Sequence, residues 1–256
     1  GAQAEHLFRN DAGSFAPMDD FAGLGDLSPF SFTPNFVDMD EDGILDLVVS
    51  SDFHTSKMFW GSTGGRFLDA QSPVIDDDNG MGAAIGDYDG DGHFDWFLTS
   101  VWDPDGVPQK GWGVTGNRMY RNAGDGTLVD ATDEAGVRVG YWAWGTCFAD
   151  FDNDGDLDLF HVNGFDLSLA SEFKMDPSRL FLNEGDGTFT ERSHEVGIHD
   201  EGQGRAVACF DYDRDGDVDI LVQQSRDRMR LFRNDLSLPN HYVAVAVRGP
   251  ALNAHA

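Results

Sequence analysis

The sequence predicts an all-β fold, a β-propeller of four-stranded blades, and three observations carry that prediction. The phrase D-x-D-x-D-G-x-x-D occurs four times in 256 residues, beginning at 38, 87, 150 and 211. Each copy opens onto a short apolar run, such as Leu47-Val-Val or Val218-Asp-Ile-Leu-Val, rich in residues that fit a pleated sheet. A second phrase recurs downstream: Met119-Tyr-Arg-Asn-Ala-Gly-Asp-Gly-Thr-Leu128 and Leu180-Phe-Leu-Asn-Glu-Gly-Asp-Gly-Thr-Phe189 are near copies. A repeat of this length is one supersecondary unit that cannot bury both faces alone. Packing such sheets radially around a shared axis buries them and leaves only short edges.

In chain order, residues 6–18 hold a looser copy of the second phrase, Leu7-Phe-Arg-Asn-Asp-Ala-Gly-Ser-Phe15, and read as an outer hairpin. Four units follow at about 30–70, 81–131, 143–192 and 204–247. Each begins with an inner strand (83–86 and 146–149 in the second and third units), passes through its aspartate loop, and continues into a second strand such as 94–99. An outer hairpin completes it, with Asn and Gly expected to supply the positive φ of a tight turn. The count is four full repeats plus a half blade, so about five blades or part of a larger ring. Because a closed ring needs whole blades, a homodimer that completes the ring in trans is one expectation. The propeller is assigned to residues 1–239, and 240–256 to its last strand or the start of a further module.

The loops have the composition of metal cages. Carboxylates at positions 1, 3 and 5 (Asp38, Asp40, Asp42; Asp87, Asp89, Asp91; Asp150, Asp152, Asp154; Asp211, Asp213, Asp215) converge only if the backbone turns sharply. Gly at position 6 permits that turn. The carbonyl of position 7 (Ile44, His93, Asp156, Asp217) and the carboxylate of position 9 (Asp46, Asp95, Asp158, Asp219) are expected to complete each cage. Hard oxygen ligands in this number favour Ca2+ over magnesium, and about four ions are predicted. An EF-hand loop begins alike but needs Glu at position 12 and flanking helices. Position 12 here is Val49, Leu98, His161 and Val222, so that alternative fails. Each ion is expected to tie the inner strand to the second strand of its own blade, with blades nearly independent.

Composition narrows the partners. With 46 acidic against 17 basic residues, a formal charge of -29 opposes the phosphate neutralisation that drives nucleic-acid binding. No apolar run approaches the ~20 residues of a membrane helix, so no membrane insertion is expected. The two cysteines, Cys147 and Cys209, read as buried thiols rather than a disulfide framework.

The aspartate loops set between short strands resemble the FG-GAP/VCBS repeats of integrin α-chain propellers. The L-F-x-N-x-G-D-G-T-F phrase and Asn240-His-Tyr-Val-Ala-Val-Ala-Val-Arg-Gly249 are similar to the ASPIC/UnbV branch, which includes cartilage acidic proteins. The resemblance implies a secreted, extracellular or periplasmic setting, where calcium is abundant. It also implies a role in adhesion or scaffolding through an extracellular protein or glycan.

If the aspartate loops lie on one face of the disc, partners are expected on the other. Two long connections, 101–116 and 163–178, lie there, with Trp102, Trp112, Tyr141 and Trp142 as candidate partner-binding residues. No Ser-His-Asp, Cys-His or H-E-x-x-H arrangement appears, so a non-enzyme is expected. A calcium-dependent carbohydrate-active enzyme of the polysaccharide lyase kind is the alternative. Asp76-Asp77-Asp78 reads as an inter-blade turn or an aid to a further cation.

Overall fold

The computed structural model describes residues 6–18, 23–25, 30–70, 72–103, 113–166, 173–235 and 242. Within them the chain is almost entirely β, apart from the one-turn helix α1 (Thr132–Ala135). Strands β1 (Phe8–Asp11) and β2 (Ser14–Pro17) form the amino-terminal hairpin. Blade 1 is β3 (Ser31–Val37), β4 (Asp46–Ser51), β5 (Lys57–Ser62) and β6 (Arg66–Asp69). Blade 2 is β7 (Ala83–Gly86), β8 (Asp95–Leu98), β9 (Arg118–Asn122) and β10 (Leu128–Asp130). Blade 3 is β11 (Ala143–Ala149), β12 (Asp158–Asn163), β13 (Arg179–Asn183) and β14 (Phe189–Glu191). Blade 4 shows β15 (Gly204–Phe210), β16 (Asp219–Gln224) and β17 (Arg230–Phe232). Every blade is an antiparallel meander in sequence order.

The second strand of each blade explains the apolar run after each loop. It lies between two neighbours within its sheet and between two blades across its faces. In β4, β8 and β12 every residue is buried. Innermost strands of consecutive blades adjoin, β3 with β7, β7 with β11 and β11 with β15, so the blades fan around an axis as a β-propeller. Apolar clusters fill the boundaries. Met39, Val48 and Met58 of blade 1 meet Trp96 and Tyr120 of blade 2. Tyr88, Phe97 and Met119 of blade 2 meet Leu159, Phe181 and Phe189 of blade 3. Phe151 and Phe160 of blade 3 meet Ile220 and Val222 of blade 4. Leu7 and Met18, flanking the amino-terminal hairpin, pack on the outer face of blade 1 against Leu47, Phe59 and Phe67. The hairpin therefore occupies the place of a preceding blade's outer half.

Two expectations are corrected. Cys147 and Cys209 are not thiols: they form a disulfide with Cα atoms 6.5 Å apart, joining β11 to β15 across the boundary of blades 3 and 4. Sixty-two residues separate them in sequence, but the repeat places their strands side by side. Nor does Asn of the second phrase supply positive φ. The glycines do, Gly124 and Gly126 at +87° and +73° and Gly185 and Gly187 at +77° and +79°, while Asn122 and Asn183 end their strands in extended form. Gly126 is required on a second count, because a Cβ there would lie 1.9 Å from the Trp60 ring of blade 1.

Candidate functional site

Each aspartate loop joins the innermost strand to the second strand of its blade, and one hydrogen-bond scheme shapes all four. The position-1 carboxylate accepts the N–H of the position-6 glycine: Asp38 from Gly43 (2.9 Å), Asp87 from Gly92 (3.0 Å), Asp150 from Gly155 (3.1 Å) and Asp211 from Gly216 (3.1 Å). The position-5 carboxylate accepts the N–H of position 7: Asp42 from Ile44, Asp91 from His93, Asp154 from Asp156 and Asp215 from Asp217. The four glycines take φ of +85° to +102°. Space is no constraint at Gly43, Gly92 and Gly155, so the backbone angle alone selects glycine there. Position 4 is also left-handed in every loop, at Glu41, Gly90, Asn153 and Arg214.

Position 9 also shapes the loop. Asp46, Asp95, Asp158 and Asp219 are buried, and each accepts two backbone N–H groups. One comes from position 2 of its own loop: Met39, Tyr88, Phe151 or Tyr212. The other comes from the end of the third strand: Gly61, Asn122, Asn183 or Asn234. The carboxylate therefore pins loop, second strand and third strand together.

The third-strand asparagine then reaches across to the preceding blade. Asn122 Nδ2 donates to the Met39 carbonyl (2.7 Å), Asn183 to that of Tyr88 (2.8 Å) and Asn234 to that of Phe151 (2.7 Å). Sequence reasoning missed this latch because Asn beside Gly carries the signal of a turn; its recurrence four residues before the second Gly was the available clue. Further links run from position 4 of one loop to the next loop: Glu41 pairs with His93, and Asn153 Nδ2 donates to Asp217 Oδ1 (2.8 Å). Loops 1 and 2, and loops 3 and 4, are thus joined directly by side chains.

The carboxylates converge as a cation site requires. Ligand atoms from Asp38, Asp40 and Asp42 lie within 4.8 Å of one another in the first loop. In the others the convergent sets are Asp87, Asp89 and Asp95; Asp150, Asp152 and Asp158; and Asp211, Asp213 and Asp219. Position 9 therefore replaces position 5 in three of the four sets. Asp38 Oδ1 and Asp87 Oδ1 are buried with no hydrogen-bond partner, a costly state for a carboxylate oxygen that nothing neutralises. Burial pushes the Asp95 and Asp158 carboxyls up to about 7, with the neighbouring aspartates working in the same direction. A hard cation relieves both costs, so the residues present fit a metal ion.

On the opposite face, Trp142 is buried rather than presented: it stacks on Phe165 at 4.0 Å and meets Phe173 edge-on. Trp102 and Tyr141 are half-buried, with Arg179 lying 4.8 Å from the Tyr141 ring. Trp112 lies outside the described residues. His161, fully buried between Asn163 and Asn117, is pushed down to about 3 by burial and stays neutral.

The sequence matches relatives over short stretches. It is 39% identical over 72 residues to cartilage acidic protein 1 of Xenopus tropicalis, spanning 28% of this chain and 11% of that protein. It is 44% identical over 57 residues to the Homo sapiens cartilage acidic protein 1, spanning 22% of this chain and 9% of that one. The matches thus span about a tenth of the relatives' length. Among solved structures, the exotype rhamnogalacturonan lyase YesX aligns over 75% of this chain and 38% of its own, with a TM-score of 0.42 and 16% identity. That likeness is too low to bear on function. The model of the FG-GAP-like repeat matches residues 38–98, 104–161 and 166–222, stretches that contain all four aspartate loops. On that match, and on the blades that carry those loops, the chain belongs to the FG-GAP-like repeat family.

Proposed function

We propose that this chain is a calcium-stabilised propeller of an exported protein, whose rigid disc presents the face opposite its metal loops to an extracellular protein or glycan. The observation that carries the proposal is the convergence of four carboxylate triplets, one in each blade's aspartate loop, two of them with an unpartnered buried oxygen. Calcium suits them: it takes six to eight oxygens at about 2.3–2.6 Å, so ligands on opposite sides of one ion sit about 5 Å apart. Positions 1, 3, 5 and 9 and the position-7 carbonyl would hold it. The ion would supply charge neutralisation and rigidity rather than chemistry.

Export is supported by the Cys147–Cys209 disulfide, since such bonds persist in oxidising compartments. Calorimetric titration of chelator-stripped protein tests the proposal. Calcium should bind at about four sites and raise Tm, with roughly 2.7 kcal/mol per site at a hundredfold excess over Kd. An unchanged melting curve between excess chelator and millimolar calcium would refute it.

A further inference from the structure

The residue six places before each loop sits where the innermost strand enters the disc, on the face away from the metal loops. Phe32, Met81, Trp144 and Arg205 hold this position in blades 1 to 4, so one cation stands in an otherwise apolar rung. The Phe32 ring, 47% exposed, meets Trp144 edge-on at 6.1 Å, bringing blade 1 to blade 3 across the axis. The Arg205 guanidinium lies 4.3 Å from the Trp144 ring centroid and 5.9 Å from that of Phe165. Its Nη1 donates to the carbonyls of Gly164 (2.7 Å) and Gly204 (2.5 Å), and Trp144 Nε1 donates to Gly164 as well (3.1 Å). Two rings and two carbonyls therefore fix this guanidinium before any ligand arrives.

What it lacks is an anion. In a chain with 46 acidic residues, Arg205 is, among the described residues, the half-buried arginine that has no carboxylate at ion-pair distance; Arg118, Arg121, Arg138, Arg179, Arg192 and Arg230 each have one. Its surroundings are locally positive: Lys174 (3.6 Å) and Arg226 (3.7 Å) share the single carboxylate of Asp166. Burial and the charge of Arg226 both work against the Arg205 cation, a cost that a bound anion offsets.

We propose that Arg205, seated on Trp144, is a carboxylate-binding site whose ligand is an acidic saccharide. The planar fork of a guanidinium matches a carboxylate through two parallel N–H bonds. The exposed Phe32 ring, in edge-on contact with the same Trp144, offers a flat apolar face of the kind that packs on the C–H face of a pyranose ring. A saccharide carrying a uronate group presents both features within one sugar unit, whereas an acidic peptide presents only the carboxylate. The inference rests on the face opposite the metal loops being the binding face.

Calcium-loaded protein should be titrated calorimetrically with a uronate-bearing oligosaccharide, with the same oligosaccharide after carboxyl reduction, and with a glutamate-rich peptide of equal charge. The uronate ligand should bind, and carboxyl reduction should weaken it at least thirtyfold. Arg205→Lys keeps the charge but loses the fork, and should weaken binding about tenfold at unchanged Tm. Asp166→Asn, which removes the local negative charge and leaves Arg205 untouched, should tighten it severalfold. Equal binding of the carboxyl-reduced ligand, binding of the peptide alone, no binding at all, or no response to either variant would overturn the assignment. Calcium stabilisation without uronate selectivity sinks this site and spares the module; loss of the calcium response sinks the module itself.

Discussion

Loops 1 to 3 and loop 4 share a sequence pattern but not an environment. Position 2 is 0% exposed at Met39 and 5% at Tyr88 and Phe151, yet 42% exposed at Tyr212. In the first three loops the carbonyl of that residue is capped by the asparagine of the next blade. Beyond loop 4 the described residues contain no further blade, and Phe210 and Leu231 are exposed on the same face. The difference teaches that an aspartate loop is finished by its successor. Its carboxylates belong to one blade, and position 9 is buried in all four, but the partial burial of positions 1 and 3 is present only where a next blade follows.

The largest effect expected from breaking this contrast is at position 2. Tyr88→Ala should cost about 3–5 kcal/mol, as for other buried aromatic residues, while Tyr212→Ala should stay near 0.5 kcal/mol. Urea denaturation in calcium reads both, and equal losses would erase the distinction. Next is the covalent tie at the last boundary. Replacing Cys147 and Cys209 with serine should cost about 4 kcal/mol, from the freedom restored to the unfolded chain. Hydrogen exchange should show the loss first in blade 4, and uniform deprotection across the blades would contradict it.

A buried carboxylate between blades 1 and 2 gives a smaller, pH-dependent effect. Asp77 is almost fully buried, and burial pushes its carboxyl up to about 6, with Ser56 donating to Oδ2. The folded value is above the unfolded one, so stability present below about pH 4 is lost as pH rises through 6. At pH 7 this amounts to something on the order of 3 kcal/mol. Asp77→Asn should therefore stabilise at pH 7 relative to wild type and lose that advantage by pH 4. A pH-independent difference in Tm would count against it.

Last, the latches should differ in strength. Asn183→Ala strands the buried Tyr88 carbonyl and should cost about 2 kcal/mol, whereas Asn234→Ala, at the partly exposed final blade, should cost about 1 kcal/mol. The reverse order would show that the outer blade bears more load than its exposure suggests.

Much of this was legible in the sequence, for a physical reason. Four carboxylates at fixed spacing around a glycine can satisfy one another only by turning about a cation, and a doubly buried strand is apolar without alternation, as in Trp96-Phe97-Leu98. The latches were not legible, because Asn122 and Asn183 act on carbonyls about 83 and 95 residues away that no local pattern reveals. The disulfide was hidden for the same reason. Trp142 was drawn to the surface by its place beside a long connection, and the structure puts it under Phe165. Arg205 carried no motif; its meaning came from the carboxylates that are not near it.

The disulfide also determines how the molecule bears load. A chain pulled from its carboxy-terminal side can unzip β17, β16 and the fourth aspartate loop only as far as Cys209. Tension then passes through sulfur to Cys147 in the innermost strand of blade 3. The segment spanned by that 62-residue separation, which includes the third aspartate loop and most of blade 3, lies outside the line of force. Mechanically, the least enclosed blade is a fuse whose failure stops at a covalent rivet.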